Sequence, residues 1–520
     1  MKSISLNNFS AQSKYLVPAT WAILLLLCLV YLGHALFYWD WIEDDAYITL
    51  RYSANVVDGQ GFVFNVGEKV EGYSNFAWVL LGAVALKAGI DPSVAVRWIG
   101  IISGLLCLPL VWDLSRRFLG GRSWAALFAP AILAFIPPMA RHATNGLETL
   151  FFAFQFLLAL WLLKIQSGHR RNAALILVLL GLALTRPEGF IFVALLLIPL
   201  LPGKPSHWFG NSNGDSFKSN GLVVIVGFLL TWGSYFLWRW TYFGAVFPNT
   251  YYAKMTGDTG GLIDGIQYAA DFFRDSFALP LLALALVPLV FWRHRPALWH
   301  LLLVFFAYMG FVVVSGGDWM ILYRFFVPVL PLMAVAAAVG LGELSSRLSE
   351  ISPQPNQLGL VLLVGFLAGL SVIGTANTEL AVWRQIGPAL DSGGYLVNSY
   401  RNLGLWLDEN TPSDASVAVS DIGAIGYFSN RQIIDMFGLV DKHLARIPGK
   451  QHHKTDAKYV LSRSPDYVVL VRSEGQSNQY LRLPDTALWK QPEFQSSFNL
   501  VKEFPMPDSG EVIQVFESNN

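Results

Sequence analysis

Charged residues are scarce in this chain. Only 14% of its 520 residues are Asp, Glu, Lys or Arg, whereas 54% are hydrophobic. Because soluble globular proteins carry about 25% charged residues, this composition excludes an ordinary soluble protein. The formal net charge is zero, so the charge balance gives no indication of a nucleic-acid partner.

Cysteine is scarcer still. The chain has two cysteines, Cys28 and Cys107, and each lies inside an apolar run. Two such residues exclude a disulfide framework and a metal site built from thiolates.

A nucleotide-binding fingerprint is lacking as well. The pattern Gly423-x-x-Gly426 has neither the first glycine nor the later acidic residue of a dinucleotide-binding motif.

Long apolar runs are what the chain has in abundance. A helix needs about 20 mainly apolar residues to cross a bilayer, and somewhat fewer where the bilayer is thin. No small-x-small cleavage site precedes Asp40, so we interpret the first run as a retained transmembrane helix and not as a signal peptide. The sequence predicts eleven spans, at 16–38, 94–113, 123–140, 148–163, 172–185, 188–202, 221–243, 278–292, 298–315, 324–344 and 357–376.

Basic residues set the predicted topology. If the short apolar run 76–86 does not span, the connections on the side of the N-terminus hold thirteen Lys or Arg in 65 residues. The connections on the opposite side hold seven in a much longer total. Since basic residues concentrate in cytoplasmic loops, the N-terminus is predicted to be cytoplasmic. The run 76–86 is then an interfacial helix in the first outer loop.

The acids that follow the first span are the first candidates for chemistry. Asp40, Glu43, Asp44 and Asp45 lie where the chain leaves the bilayer, a costly place for carboxylates without a function or a partner. One reading is a helix cap at the interface. The other is an active site, in which Asp44 or Asp45 acts as a general base with a raised pKa. Alternatively, these carboxylates hold a divalent cation (Mg, Mn or Ca), with Glu71 completing the oxygen shell.

Three cations at predicted outer helix ends form a second group, Arg186, Lys254 and Arg324. Arginine forks and a lysine point charge suit a phosphate group, and they would stabilise charge on a departing phosphate. Snorkelling to lipid headgroups is the alternative for each of them. The other outer-loop residues that we predict to bind substrate are Tyr47, Arg51, Glu71, Tyr73, Asn75, His142, Asn145, Glu148, Glu188, Asn249, Tyr252 and Asp318.

The composition becomes polar after residue 376. Short strand-like runs occur at 416–420, 432–436, 467–471 and 511–516, and the first of them is followed by the segment 421–427, as a strand-to-helix turn would be. This alternation predicts a small α/β domain at 377–520 after a transmembrane module at 1–376. The predicted fold class is therefore mainly α, a polytopic membrane protein with a small extracytoplasmic α/β C-terminal domain.

Two segments of the first outer loop resemble a known superfamily. Segment 44–52 reads DDAYITLRY and segment 70–75 reads VEGYSN. In these the chain is similar to the GT-C superfamily of polyprenyl-phosphate-sugar-dependent glycosyltransferases, and within it to the terminal arabinofuranosyltransferases of mycobacterial cell walls and the pilin-glycosylating enzymes. Further matches are NGLE at 145–148, TRPEG at 185–189, NTYYAK at 249–254, GGD at 316–318, DIGAIGY at 421–427 and DMFGLVD at 435–441.

The resemblance implies a GT-C fold, with an amphipathic helix in the first outer loop. It makes Asp44 or Asp45 the catalytic carboxylate and assigns Arg186, Lys254 and Arg324 to the lipid phosphate. The implied reaction moves a sugar, D-arabinofuranose above all, from a decaprenyl- or undecaprenyl-phosphate donor to a hydroxyl of a glycan, a lipid or a pilin-like protein. It would take place on the outer face of the bacterial cytoplasmic (inner) membrane, in contact with membrane lipids.

Three alternatives remain open from the sequence. The same chemistry would serve a hexose such as mannose. A transporter or flippase of lipid-linked sugar would also span the membrane many times, but it would carry polar residues on both faces. The third is a non-catalytic assembly partner whose C-terminal region binds other proteins. The one-sided placement of the unusual loops favours the enzyme.

Overall fold

The computed structural model describes most of the chain. The predicted span 357–376 lies almost wholly outside the described residues, so the structure says nothing of it. The description covers 7–519 except 121–122, 166–167, 202–213, 255–259, 277, 292–295, 352–364, 366–368, 370–394, 450–452, 476–479 and 507–509.

The described chain up to residue 351 is helical, and ten of the eleven predicted spans fall on helices. Two 3₁₀ helices, Ile198–Leu200 and Arg324–Val329, extend the spans that begin near residues 188 and 324. The helices are α1 Asn7–Phe37, α2 Asp44–Val57, α3 Phe76–Lys87, α4 Pro92–Phe118, α5 Ser123–Ala126, α6 Phe128–Phe135, α7 Pro137–Thr144, α8 Thr149–Lys164, α9 His169–Thr185, α10 Gly189–Leu197, α11 Gly214–Phe243, α12 Asn249–Lys254, α13 Gly260–Asp275, α14 Ala278–Phe291, α15 Pro296–Val314 and α16 Leu330–Ile351.

Several of these helices are long and apolar enough to cross a membrane. Within the described residues there are four, or up to six if each bent pair counts as one span. The predicted span 123–140 is one of the bent pairs, with an angle of 52° between α5–α6 and α7. The bend comes at Pro137, since proline excludes the helical conformation for the residue before it and lacks an N–H to continue the ladder.

The centre of the helical part is α16. Every residue from 326 to 343 is buried, as expected of a helix that is apolar all round. Its small residues let neighbouring backbones come close. A Cβ at Gly340, for example, would collide with the Leu284 carbonyl oxygen of α14. The helices that carry the outer loops are therefore packed around a rigid core.

The loop predicted to be the first outer loop contains two helices. The interfacial helix predicted at 76–86 corresponds to α3. The acids Asp44 and Asp45 form the first turn of α2, where negative side chains stabilise the positive end of the helix dipole. The sequence analysis did not predict α2 beyond that possible cap. Its burial explains why, since α2 has apolar or buried side chains on most sides from Ala46 to Ser53.

The C-terminal part contains a five-stranded sheet of order β2-β1-β3-β5-β4, parallel between β2, β1 and β3 and antiparallel beyond. Four strands were predicted. The sequence missed β4 because most of its side chains are exposed, so it lacks an apolar pattern. The elements are α17 Tyr395–Asn410, β1 Ser416–Val419, α18 Gly423–Ser429, β2 Gln432–Asp435, α19 Lys442–Arg446, α20 Ala457–Ser462, β3 Tyr467–Ser473, α21 Leu483–Trp489, α22 Pro492–Ser497, β4 Phe498–Met506 and β5 Glu511–Ser518.

Candidate active site

The adjacent acids at the start of α2 point in different directions. Successive residues of an α-helix are about 100° apart around its axis. The Asp44 carboxylate accepts hydrogen bonds from the backbone N–H groups of Gly423, at 3.0 Å, and Ala424, at 2.7 Å. Asp44 therefore faces α18 of the C-terminal part. The charge of Asp45 is close enough to act on Asp44, on Glu43 and on Arg324.

The surroundings of Asp44 favour a proton on its carboxyl. Burial and the nearby charge of Asp421 raise the pKa of Asp44 to about 7, against the opposite effect of the N–H groups of Ala424 and Gly423. A carboxyl with such a pKa changes its charge near neutral pH. The hold of α2 on α18 is therefore sensitive to pH in the physiological range.

Gly423 makes the close approach of α18 to α2 possible. A Cβ at this position would meet the Asp44 carbonyl oxygen and the Asp44 carboxyl carbon, the latter at 2.6 Å. Such a distance is well inside van der Waals contact, so any larger residue must displace one of the two helices. The motif at 421–427 thus has a structural explanation in this contact.

On the other side of α2 lie two buried arginines with acidic partners. Arg186 donates from Nη1 to Glu148 at 3.1 Å and from Nε to Glu188 at 2.5 Å. Arg324 donates from Nε and Nη2 to Asp318, at 2.7 and 3.2 Å. All five side chains are at most 9% exposed. We call these five residues the arginine cluster. The two arginines that the sequence predicts as phosphate ligands are thus each ion-paired.

A chain of hydrogen bonds joins the arginine cluster to α2. The amide of Asn75 donates to Glu148 at 2.9 Å and to the Thr49 hydroxyl at 3.1 Å. Thr49 lies four residues after Asp45, and residues at that spacing share one face of a helix. The Asp45 face of α2 is thus the face that is turned toward the arginine cluster.

A further cation lies at the bend between α6 and α8. Arg141 is fully buried, with its Nη2 donating to Glu43 at 2.6 Å and its guanidinium 5.0 Å from the centre of the Trp41 ring. Its Nε and Nη1 have no hydrogen-bond partner among the described residues. Buried N–H groups without a partner are costly. The sequence gave little weight to Arg141, because nothing in its neighbourhood shows that α7 turns inward.

His142 and Asn145 support the turn that precedes Arg324. The Nε2 of His142 lies 3.3 Å from the Leu322 carbonyl oxygen, and the Nδ1 of His142 lies 3.0 Å from the side-chain amide nitrogen of Asn145. Leu322 and Tyr323 have φ values of 57° and 52°, a left-handed conformation that costs about 1–3 kcal/mol for such residues. Packing from α7 therefore holds Arg324 at the end of a strained turn.

Other predicted substrate-binding residues attach the C-terminal part to the helices. Arg51 donates from Nε to Phe64 at 2.8 Å and from Nη2 to Arg431 at 2.6 Å, both to carbonyl oxygens, and its Nη1 bonds to the Gly426 carbonyl. The amide of Asn249 donates to the carbonyls of Gly438, Leu439 and Asp441 at 2.9–3.1 Å. The structure gives Arg51 and Asn249 these anchoring contacts, and their role toward a substrate stays a prediction.

The remaining predicted residues lie apart from the arginine cluster. Glu71 is buried in an ion pair with Arg239, and the Tyr73 ring is 3% exposed. Tyr252 accepts a hydrogen bond at its carbonyl from Lys454, at 2.6 Å. Lys254 is exposed at the end of α12, and it forms no ion pair with a described residue. Tyr47 packs against aromatic rings of α18.

The carboxylates proposed for a divalent cation do not converge. Glu43 turns to Arg141, Asp44 to the backbone of α18, and Glu71 to Arg239. Among the residues that the structure describes, no group of three or more His, Cys, Asp or Glu side chains could hold a metal ion. A divalent cation therefore stays a prediction, and no step below is derived through one.

Comparison with protein families gives a match in the C-terminal part. Residues 394–516 match a family described as a domain of unknown function, DUF8728. The matched segment begins just before α17 and ends within β5, so it contains β1 to β4 and most of β5. The match itself assigns no activity.

Two characterised proteins are similar in sequence. The chain is 30% identical over 251 residues to a terminal β-(1→2)-arabinofuranosyltransferase of Mycobacterium tuberculosis. It is 27% identical over 256 residues to a protein of the same name from Corynebacterium glutamicum. Each alignment covers 45% of this chain, and 38% and 35% of the relatives respectively. The chain thus matches well under half of the length of either relative.

The fold is similar to that of solved proteins. ArnT from Cupriavidus metallidurans, bound to undecaprenyl phosphate, superposes with a TM-score of 0.55 at 14% identity, over 96% of this chain and 97% of that one. The mycobacterial arabinofuranosyltransferase AftD gives a TM-score of 0.54 at 14% identity, over 96% of this chain and 40% of its own. Over the aligned residues the chain is thus similar in sequence to the terminal arabinofuranosyltransferases, and its fold is similar to those of ArnT and AftD.

Proposed function

We propose that this protein is a membrane glycosyltransferase that moves a sugar, D-arabinofuranose above all, from a polyprenyl-monophosphate donor to an acceptor hydroxyl. The acceptor is a glycan, a lipid or a protein. The observation that carries the proposal is the Asp44–Asp45 pair beside the buried arginine cluster, on a GT-C fold. The sugar is suggested by the names of the two sequence relatives.

The proposed arrangement in the membrane follows the basic residues of the connections. Residues 1–376 form the transmembrane catalytic module with about eleven spans, of which 357–376 is the last. The N-terminus is cytoplasmic and residues 377–520 form an extracytoplasmic domain, in a bacterial inner membrane. The four to six long apolar helices of the described residues support a membrane protein, and the charge bias supports the orientation.

Arg186 and Arg324 are proposed to hold the donor phosphate, with Lys254 nearer the solvent. The described hydrogen bonds of Arg186 use Nε and Nη1, and those of Arg324 use Nε and Nη2. Each guanidinium thus keeps N–H groups for a phosphate oxygen. As the bond between the sugar and the phosphate breaks, negative charge grows on the leaving phosphate, and the two cations stabilise it.

Asp45 is proposed as the reacting carboxylate, and Asp44 as a positioning residue. Asp45 lies on the face of α2 that is turned to Arg324, whereas both oxygens of Asp44 accept hydrogen bonds from α18. As a general base, Asp45 takes the proton of the acceptor hydroxyl. At the same time the hydroxyl oxygen bonds to the anomeric carbon, and the polyprenyl phosphate leaves. In a retaining reaction, Asp45 attacks that carbon itself as the polyprenyl phosphate leaves, and the acceptor oxygen then displaces the Asp45 carboxylate, which takes up the hydroxyl proton.

A transfer assay on the purified protein in detergent tests the proposal. The donors are a panel of polyprenyl-phosphate sugars, a pentofuranose beside a hexopyranose, with nucleotide sugars as controls. We expect turnover with the pentofuranose donor and none with nucleotide sugars. Transfer from a nucleotide sugar, with lipid-linked donors ignored, would overturn the proposal. Turnover with mannose alone would keep the enzyme class and replace the sugar.

A further inference from the structure

Helix α13 presents three different faces, because the residues of one helix face recur every three or four positions. The inner face packs into the protein and consists of Gly265, Tyr268, Ala269 and Phe272. The polar face consists of Asp264, Gln267, Asp271 and Arg274. The third face, which we call the apolar strip, consists of Leu262, Ile263 and Ile266. The side chains of the strip are 47%, 67% and 55% exposed.

This distribution of side chains is typical of a helix at the border between lipid and water. Three large aliphatic side chains on one exposed helix face are unfavourable in water. The polar face suits water, since Gln267 donates to Asp271 at 2.9 Å and Arg274 pairs with Asp271 at 2.7 Å. A helix with two such faces lies in the membrane interface, with its apolar side chains toward the acyl chains.

The direction of α13 agrees with such a position. The angle between α13 and α14 is 95°. The second of these helices is a predicted span, and transmembrane helices are tilted by about 20° from the membrane normal. Helix α13 would therefore lie close to the plane of the membrane.

The apolar strip continues a lipid-facing surface of α15, which is also a predicted span. Exposed apolar side chains of α15 recur at intervals of three, four and eight residues, at Trp299, Leu303, Phe306 and Val314. A Cβ at Gly265 would collide with the Val313 carbonyl oxygen, so α13 crosses the last turn of α15 in direct backbone contact. The next residue, Val314, is 74% exposed. Acyl chains that cover this face of α15 therefore reach the strip as well.

The inner face of α13 packs on the residues that follow Arg324. The Phe272 ring stacks on Phe326, with the ring centres 3.9 Å and the planes 6° apart. Tyr268 stacks on the same ring at 5.6 Å, and its hydroxyl accepts the N–H of Phe325 at 3.4 Å. Such ring pairs fix both the distance and the orientation of the two segments.

Helix α13 also holds the turn that precedes Arg324. The Tyr323 hydroxyl donates to the Asp275 carboxylate at 2.5 Å. Tyr323 is in the left-handed conformation, and a strained backbone persists only where its surroundings over-determine it. A displacement of α13 would therefore also displace Arg324.

We propose that α13 is an interfacial helix whose apolar strip lies among the acyl chains of the bilayer, and that this attachment positions Arg324 for the donor phosphate. The role of Arg324 in this inference rests on the proposed function. Tyr268 and Phe272 are then positioning residues, which transmit the place of α13 on the lipid surface to the arginine cluster. The affinity for a polyprenyl phosphate thus depends on the attachment of α13 to the bilayer.

The accessibility of α13 in a bilayer, with no donor present, tests the attachment. A nitroxide label is introduced through Ile263→Cys, and in a matched control through Gln267→Cys, in the full-length protein with Cys28→Ser and Cys107→Ala. The protein is placed in nanodiscs of phosphatidylethanolamine and phosphatidylglycerol. We expect oxygen to relax the label at position 263 and a water-soluble nickel chelate to relax the label at position 267.

Two results of this experiment would overturn the inference. One is equal relaxation of the two labels by the nickel chelate, which would place the apolar strip in water. The other is protection of the label at position 263 only after a polyprenyl phosphate is added, since the strip would then hold the tail of that lipid.

Binding of decaprenyl monophosphate, which carries no sugar, tests the positioning of Arg324. Ile263→Glu places a charge among the acyl chains. In nanodiscs it should raise the Kd by about tenfold and speed hydrogen exchange at 321–326. Ile263→Leu keeps the strip apolar, and Gln267→Glu places the same charge on the polar face, so both should bind as the wild type does. Wild-type affinity and exchange in Ile263→Glu would overturn the inference.

The two proposals fail separately. If the labels and the affinities for decaprenyl monophosphate behave as expected but no lipid-linked donor is turned over, the proposed glycosyl transfer is wrong and the role of α13 stands. If transfer proceeds and its KM for the lipid-linked donor is the same in Ile263→Glu as in the wild type, the role of α13 is wrong and the proposed function stands.

Discussion

The ion pair between Glu71 and Arg239 fixes the first outer loop to the end of α11. Arg239 donates from Nε to Glu71 Oε1 at 2.9 Å, and its Nη2 bonds to Oε2. Its Nη1 also donates to the carbonyls of Ala245 and Val246, at 3.2 and 2.7 Å. Both side chains are at most 7% exposed. Although the sequence placed Glu71 among substrate ligands, this geometry gives it a structural partner on each oxygen.

Breaking this pair from one side should be strongly destabilising. Removing one partner of a buried ion pair leaves an uncompensated charge, at a cost of about 3–5 kcal/mol. We therefore expect Glu71→Gln and Arg239→Met each to lower the free energy of unfolding by about that amount. The double variant Glu71→Leu, Arg239→Met should lose much less than the sum of the two, because no charge is left buried.

The cost of Arg239→Met should grow with pH. Burial raises the pKa of Glu71, and Arg239 opposes that rise, so its removal raises this pKa further. Below the pKa of an unfolded glutamate, about 4.3, the carboxyl is protonated in both states and the penalty is absent. As the pH rises through the folded-state pKa, the unfolded state ionises more readily and stability is lost. The gap to the wild type should thus be wider at pH 8 than at pH 5.

Unfolding of the purified protein by SDS in mixed micelles, followed by tryptophan fluorescence, measures these changes. Glu503→Gln is the control, since Glu503 pairs with Arg472 but is 41% exposed, and exposed pairs contribute about 0–1 kcal/mol. Two results would refute the reasoning. One is a change below 1 kcal/mol in both single variants, and the other is a double variant as unstable as the sum of the two. An increase in KM of Glu71→Gln with unchanged stability would return Glu71 to the substrate site.

Three further changes test the contacts between the two parts of the chain. Gly423→Val should force α18 away from Asp44, seen as faster hydrogen exchange in both helices, whereas the wild-type rate would show that the contact yields without displacement. Asn249→Ala should cost about 1–3 kcal/mol and expose 438–441 to exchange; unchanged protection there would contradict the anchoring role. Burial raises the pKa of Asp435 to about 7, so stability from this group is complete below pH 4 and lost as the pH rises through 7. The sheet should therefore be less stable at pH 8 than at pH 5, by about 2–3 kcal/mol, and so unfold in less denaturant. Asp435→Asn should remove much of that difference.

Most of the helices could be predicted from the apolar runs of the sequence. Apolar length and the distribution of basic residues gave ten helical segments that the structure contains, and the resemblance indicated the fold that the comparisons confirm. The strands that were found, such as Tyr467–Ser473, are buried and apolar. The missed strand, Phe498–Met506, is exposed and charged, so its only signal was its position before β5.

The sequence does not show which distant side chains contact each other in the fold. Glu188 stands two residues from Arg186, so the sequence alone brings these two charges close together. Arg239 is 168 residues from Glu71, and it lies within an apolar helix where nothing marks its target. Likewise, no local pattern shows that Asp44 meets Gly423, since that contact depends on how the C-terminal part packs on α2. The sequence therefore gave candidate residues without their partners in space, and the chemical roles of those candidates stay predictions.

The central claim is that Asp45 is the reacting carboxylate and that Asp44 is a positioning residue. Its most direct test is single-turnover transfer from the pentofuranosyl polyprenyl-phosphate donor by the wild type, Asp45→Asn and Asp44→Asn, with donor binding and hydrogen exchange in α18 measured on each. We predict that Asp45→Asn binds the donor and keeps α18 protected but loses transfer by about 10²–10⁴-fold. Asp44→Asn should lose protection of α18 and transfer together. Wild-type transfer by Asp45→Asn, or complete loss in Asp44→Asn with α18 still protected, would contradict the assignment.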